Sequence, residues 1–88
     1  MPIISQFYGI IIKMYLKEGE RHNKEHIHIT YNEYNAIYDI KGNIIEGNIP
    51  KKQRKMVEAW IAIHEKELKD LWKEIKESGE YFKIEPLK

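Results

Sequence analysis

The stretch His26-Ile27-His28-Ile29-Thr30-Tyr31-Asn32-Glu33-Tyr34-Asn35-Ala36-Ile37-Tyr38-Asp39-Ile40 decides the fold. Two runs rich in aromatic and β-branched residues flank Asn32-Glu33, a connection that suits a two-residue hairpin, although Asn-Glu is a weaker turn signal than Asn-Gly. Closure there sets the register. Tyr31 pairs with Tyr34, Ile29 with Ala36 and Ile27 with Tyr38 on one face, and Thr30–Asn35, His28–Ile37 and His26–Asp39 share the other. One face is apolar and reads as core; the other carries the groups capable of chemistry.

Outward from the hairpin, further strands are expected. From Phe7 to Leu16 the even positions Tyr8, Ile10, Ile12, Met14 and Leu16 are apolar, which predicts one half-buried strand within residues 3–16. Lys17 to Glu25 is polar and irregular and reads as a loop. After strands at 26–31 and 34–40, Lys41-Gly42-Asn43 makes a turn into a short strand at 44–47. Pro50 suits the start of a helix. Val57, Trp60, Ile61, His64, Leu68, Leu71, Trp72 and Ile75 then recur at spacings of three and four, with charged residues mostly opposite, so one long amphipathic helix is expected over 50–78. Gly79 is its natural stop. The tail 79–88, with alternating Tyr81-Phe82-Lys83-Ile84, is expected to add an edge strand or to clasp the helix end. The expected architecture is therefore α+β: a single domain over 1–88, with a short antiparallel sheet of three to four strands and one long C-terminal amphipathic helix packed on one face. The uncovered face would show Ile37 with Ile11 or Phe7, a surface suited to self-association or a partner protein.

Composition narrows the function classes. The 88 residues include no cysteine, which excludes disulfides and thiolate metal sites and makes a reducing, cytoplasmic setting the expectation. The longest uncharged apolar run, Phe7 to Ile12, is far too short for a bilayer, and no basic-then-apolar leader opens the chain, so no membrane partner is expected. A formal net charge of +1 points to no partner. The local exception is Lys51-Lys52-Gln53-Arg54-Lys55. Cations are disfavoured at the positive end of a helix dipole, so Lys51, Lys52, Arg54 and Lys55 are candidates for binding an anion or nucleic acid, against the commoner alternative of a solvated basic turn.

Four histidines remain. His26 and His28, two apart on a strand, project to one side, with Asp39 across from His26. Imidazoles with a carboxylate suit a divalent metal, and the same His26, His28 and Asp39 could run acid–base chemistry of the kind that cleaves RNA without metal, with His22 as ligand or proton shuttle. The plainer alternative has both rings facing solvent and Asp39 as an ion-pair partner. His64, on the apolar stripe with Trp60, Leu68 and Trp72, reads as a core histidine hydrogen-bonded to a strand or loop group.

The residues Met1-Pro2-Ile3-Ile4-Ser5, Phe7-Tyr8-Gly9-Ile10, Met14-Tyr15, His22-Asn23-x-x-His26-x-His28, Gly47-x-x-Pro50 and Trp60-x-x-x-His64-x-x-Glu67-Leu68 together resemble the bacterial family called Domain of Unknown Function 4160. The resemblance covers nearly the whole chain. Lys24-Glu25 departs from the Pro-Pro that such proteins usually show before the second histidine, so a less rigid loop is expected there. The resemblance implies no settled reaction. It does imply membership of small two-gene modules of toxin–antitoxin type, and so a compact protein acting through a cognate partner protein or as a homo-oligomer. The rival expectations are a ribonuclease or metal-dependent hydrolase built on the histidine and aspartate cluster, with RNA as partner, and a structural or regulatory binding module without catalysis.

Overall fold

The computed structural model describes residues 3–14 and 25–87. Five strands, β1 (Ile3–Phe7), β2 (Ile10–Lys13), β3 (His26–Tyr31), β4 (Tyr34–Asp39) and β5 (Ile44–Asn48), pair in chain order as one antiparallel sheet. Two helices follow, α1 (Lys51–Ile63) and α2 (Glu65–Ser78).

The strand count exceeds the expected three to four because the first expected strand is a hairpin. Tyr8 and Gly9 both take positive φ, 47° and 79°, and reverse the chain between Phe7 and Ile10. Ile10, Ile12 and Met14 are buried as their alternation requires, but Tyr8, read as part of the same series, stands 61% exposed at the turn. Phe7 belongs to the core, not to the open face: it is buried, with its ring 5.9 Å from that of Trp60. The expected positions Tyr15 and Leu16 lie outside the described residues.

The β3–β4 register is the one the hairpin spacing implies, from Tyr31↔Tyr34 to His26↔Asp39, with Asn32 in the left-handed backbone conformation. β5 joins β4 with a bulge, since Ile37 pairs with Glu46 but Tyr38 with Ile44. Gly47 lies beside it at φ +78°, where an added Cβ would strike the Asn35 carbonyl oxygen.

The expected single helix is two. His64 ends α1 and precedes α2 at φ −111° and ψ 22°, well away from helical ψ. The backbone bonds His64 N–H to Trp60 O (3.0 Å) and Leu68 N–H to His64 O (2.9 Å) bridge the break, so the apolar stripe crosses it without losing register. Gly79 caps α2 in the left-handed region, its N–H bonding Ile75 O.

Ile4, Ile10, Ile12, Ile27, Ile29 and Tyr38 from the sheet meet Val57, Trp60, Ile61, Leu68, Leu71 and Trp72 from the helices in one buried cluster. Each such apolar side chain contributes roughly 1.5–3 kcal/mol on full burial. The C-terminal segment clasps this cluster without forming a strand: Ile84 is buried and its N–H bonds Ile4 O at 2.8 Å on the outer edge of β1. Among the described residues no helix is long and apolar enough to cross a membrane.

Candidate functional site

Both helices bury their apolar stripe against one face of the sheet, and among the described residues no element covers the other. The register orders that open face into cross-strand rows. Gln6, Ile11, Thr30, Asn35 and Asn48 form one, and Lys13, His28, Ile37 and Glu46 the next. Between them lies a depression of about 330 Å³, lined by Lys13, His28, Thr30, Asn35, Ile37 and Glu46. Gly47 also lines it. Thr30 Oγ1 donates to Asn35 Oδ1 (3.2 Å) across one wall.

His26 and His28 do share a side of β3, with ring centroids 5.1 Å apart at 67°. Their surroundings differ. His28 is half-buried in the depression, whereas His26 is buried with its ring 5.1 Å from that of Trp72 in α2. The expectation that both rings stand remote from the helices thus fails at His26. Strand parity assigns a residue to a face, but His26 is the first residue of β3, where the sheet ends and α2 comes alongside.

Asp39 is buried opposite His26, and its carboxylate builds the β4–β5 turn. Oδ1 accepts the Lys41 and Asn43 backbone N–H groups at 2.9 Å each, and Oδ2 accepts from Asn43 Nδ2 at 3.2 Å. Among the described residues no group of three His, Cys, Asp or Glu side chains gathers to hold a metal. His22 lies outside the described residues.

Lys51, Lys52, Arg54 and Lys55 are exposed at the start of α1, while Gln53 between them turns inward and is buried. No acidic residue occupies that first turn, and Pro50 supplies no side-chain cap. Arg54 Nε lies 3.9 Å from Glu58 Oε2, which also accepts the Tyr38 hydroxyl at 3.2 Å. Burial, then the charge of Glu58 and the hydrogen bond to it, pushes the Tyr38 phenol up to about 12.

Trp60, Leu68 and Trp72 are core, as their spacing implies. His64 is not fully so. Its side chain is 12% exposed at the margin, and its Nδ1 meets Glu67 Oε1 at 2.7 Å instead of a strand or loop group. The three-residue spacing explains this, because it sets Glu67 beside His64 on the same helical face. The ring packs on Trp60, centroids 5.3 Å apart.

Lys13 and Glu46, which flank His28 and Ile37 on the open face, were not legible as site residues from spacing alone. Extending the β3–β4 register outward to β2 and β5 is the signal that finds them.

No curated protein and no solved structure matches the chain. A family model described as a domain of unknown function, DUF4160, matches residues 9–73. The match runs from the β1–β2 turn into α2 and takes in β2 to β5, the open face between them and the break at His64. The chain belongs to the DUF4160 family.

Proposed function

We propose that this protein is one component of a two-protein module of toxin–antitoxin type, and that the open sheet face centred on His28 binds its cognate protein. The observation that carries the reading is that, among the described residues, α1 and α2 occupy one face of the sheet and the other presents half-buried Ile11 and Ile37 among Lys13, His28, Thr30 and Glu46. Apolar side chains ringed by a cation, an anion and uncharged donors are the composition of a protein-binding patch, in which the apolar centre drives association and the charges select the partner.

The test is co-expression with the product of the adjacent gene, reading both complex formation and growth. Ile37→Asp and Lys13→Glu are expected to abolish the complex while leaving the circular dichroism spectrum unchanged, and to change growth wherever the partner neutralises toxicity. A complex that survives both substitutions rejects the surface. Growth unaffected by either protein, alone or together, rejects the module.

A second reading, RNA cleavage or metal-dependent hydrolysis, is favoured by the 5.1 Å spacing of the His26 and His28 rings, close enough for one imidazole to take a proton while the other gives one. It requires growth arrest with RNA decay on induced expression, both lost in the His26→Ala and His28→Ala double variant. Metal analysis of protein purified without a histidine tag separates the two forms of this reading.

A further inference from the structure

The strand register gathers one end of the sheet in a way the proposed function does not use. Ile10 pairs with Tyr31 and Asn35 with Asn48, so the Tyr8-Gly9 turn, the Asn32-Glu33 turn and the exit of β5 into Ile49, Pro50 and α1 all lie at that end. Tyr8 is 61% and Tyr34 39% exposed there, although aromatic rings normally find cover in a chain with so small a core. Lys51, Lys52 and Lys55 lie at the start of α1 at the same end; all three are exposed, and the first turn of α1 holds no acidic residue. Tyr34 keeps the strand parity of Ala36 and Tyr38, so it belongs to the face that the helices cover and thus to the side on which α1 begins.

Exposed aromatic rings at the same end of a fold as clustered cations are what single-stranded nucleic acid requires. Bases stack on rings whatever their sequence, and lysines offset the phosphate charge between them. A duplex offers the phosphates but keeps its bases stacked on each other. From the β1–β2 turn to β5 the sheet spans roughly 15–20 Å at about 4.8 Å per strand, room for a few extended nucleotides. We propose that this end of the sheet binds single-stranded nucleic acid, with Tyr8 and Tyr34 stacking on bases and Lys51, Lys52 and Lys55 contacting phosphates. Glu33, in the turn before Tyr34, is the opposing charge that limits affinity.

The test is fluorescence anisotropy with a labelled oligouridine of about twelve nucleotides, the matching oligodeoxythymidine, and a duplex of the same length, in rising salt. Binding to the single strands is expected, with log K falling against log salt at a slope of about −2 for three phosphate contacts. Tyr8→Ala and Tyr34→Ala should each weaken binding about 5- to 100-fold, and Tyr8→Phe and Tyr34→Phe should retain it. Exchanging all three lysines for alanine should flatten the salt slope, and because those positions are exposed and alanine favours helix, the fold is kept. A preference between the two single strands identifies RNA or DNA as the natural ligand. The proposal is overturned if the duplex binds as tightly as the single strands, if the tyrosine-to-alanine variants bind like wild type, or if vesicles of anionic lipid compete on equal terms. Loss of the open-face partner leaves this result untouched, since no residue is shared.

Discussion

The indole Nε1 of Trp60 donates a 2.8 Å hydrogen bond to the backbone carbonyl of Glu85, joining the last turn of α1 to the C-terminal segment that meets the edge of β1. Trp60 is fully buried, so this N–H has no access to water and needs a partner. The bond to Glu85 and the Ile84 N–H to Ile4 O bond together hold the segment across the edge of the sheet. Deleting residues 81–88 is therefore expected to destabilise the protein by more than burial of Ile84 alone accounts for, on the order of 2–4 kcal/mol, because an indole N–H and the edge of β1 are exposed at once. Urea denaturation of the truncated chain checks this. In a Trp60→Phe background the truncation should cost about 1 kcal/mol less, and equal costs in both backgrounds would show the bond to be energetically idle.

Gly47 and Gly42 give a controlled comparison of backbone strain. Both take positive φ, but a Cβ at Gly47 would strike Asn35 O and Ala36 Cα, whereas nothing lies within 4 Å of one at Gly42. Gly42→Ala is expected to cost about 1 kcal/mol, the strain of left-handed backbone alone. Gly47→Ala should cost at least about 3 kcal/mol, since β5 must also separate from β4, and its folded fraction should show altered amide shifts along both strands. Similar losses at the two sites would mean that β4 and β5 part easily and that the bulge is loosely held.

Which features the sequence disclosed follows from how local their causes are. The β3–β4 register was legible because a two-residue connection and a period of two leave a single pairing once Ile27, Ile29, Ala36 and Tyr38 are set on one face. The β1–β2 hairpin was hidden because the alternation of Ile10, Ile12 and Met14 extends backward to Tyr8 in spacing although not in burial, and only Gly9 marks the turn. The break at His64 carries neither Gly nor Pro, and the apolar stripe runs through it unaltered. For the candidate site, parity placed His26 and His28 side by side, but it could not report that α2 brings Trp72 around the end of β3. The clasp by Ile84 and Glu85 depends on where Trp60 lands in three dimensions, which spacing within the chain does not encode.

Tyr38 links stability to alkaline pH. In the unfolded chain its phenol ionises near the ordinary value of 10.0, and in the fold near 12. The stabilisation is fully present below pH 10 and is lost as pH rises toward 12, because over that window the unfolded chain sheds a proton that the native protein keeps. The slope attributable to this group is about −1.4 kcal/mol per pH unit within the window. Tyr38→Phe should remove it, so stability curves of the two proteins, separated at neutral pH, should converge or cross between pH 10 and 12. Parallel curves would show that the hydroxyl ionises as freely in the native state as in the unfolded one.

Asp39 separates architecture from chemistry at the candidate site. Its carboxylate takes three N–H donors from Lys41 and Asn43, so Asp39→Ala strands all of them and should destabilise by about 2–3 kcal/mol. Asp39→Asn keeps an oxygen for the two backbone donors and loses the Asn43 side-chain bond, and about 1 kcal/mol is expected. A carboxylate that ligates a metal or orients an imidazole behaves differently, because the amide replaces it poorly in either role. If growth arrest or RNA decay is the protein's activity, measuring it below the unfolding transition of each variant decides the matter. Activity that follows the fraction folded, near wild type in Asp39→Asn, assigns Asp39 to the turn and leaves His26 and His28 as the reacting pair. Activity abolished in a well-folded Asp39→Asn protein places the charge of Asp39 in the reaction itself.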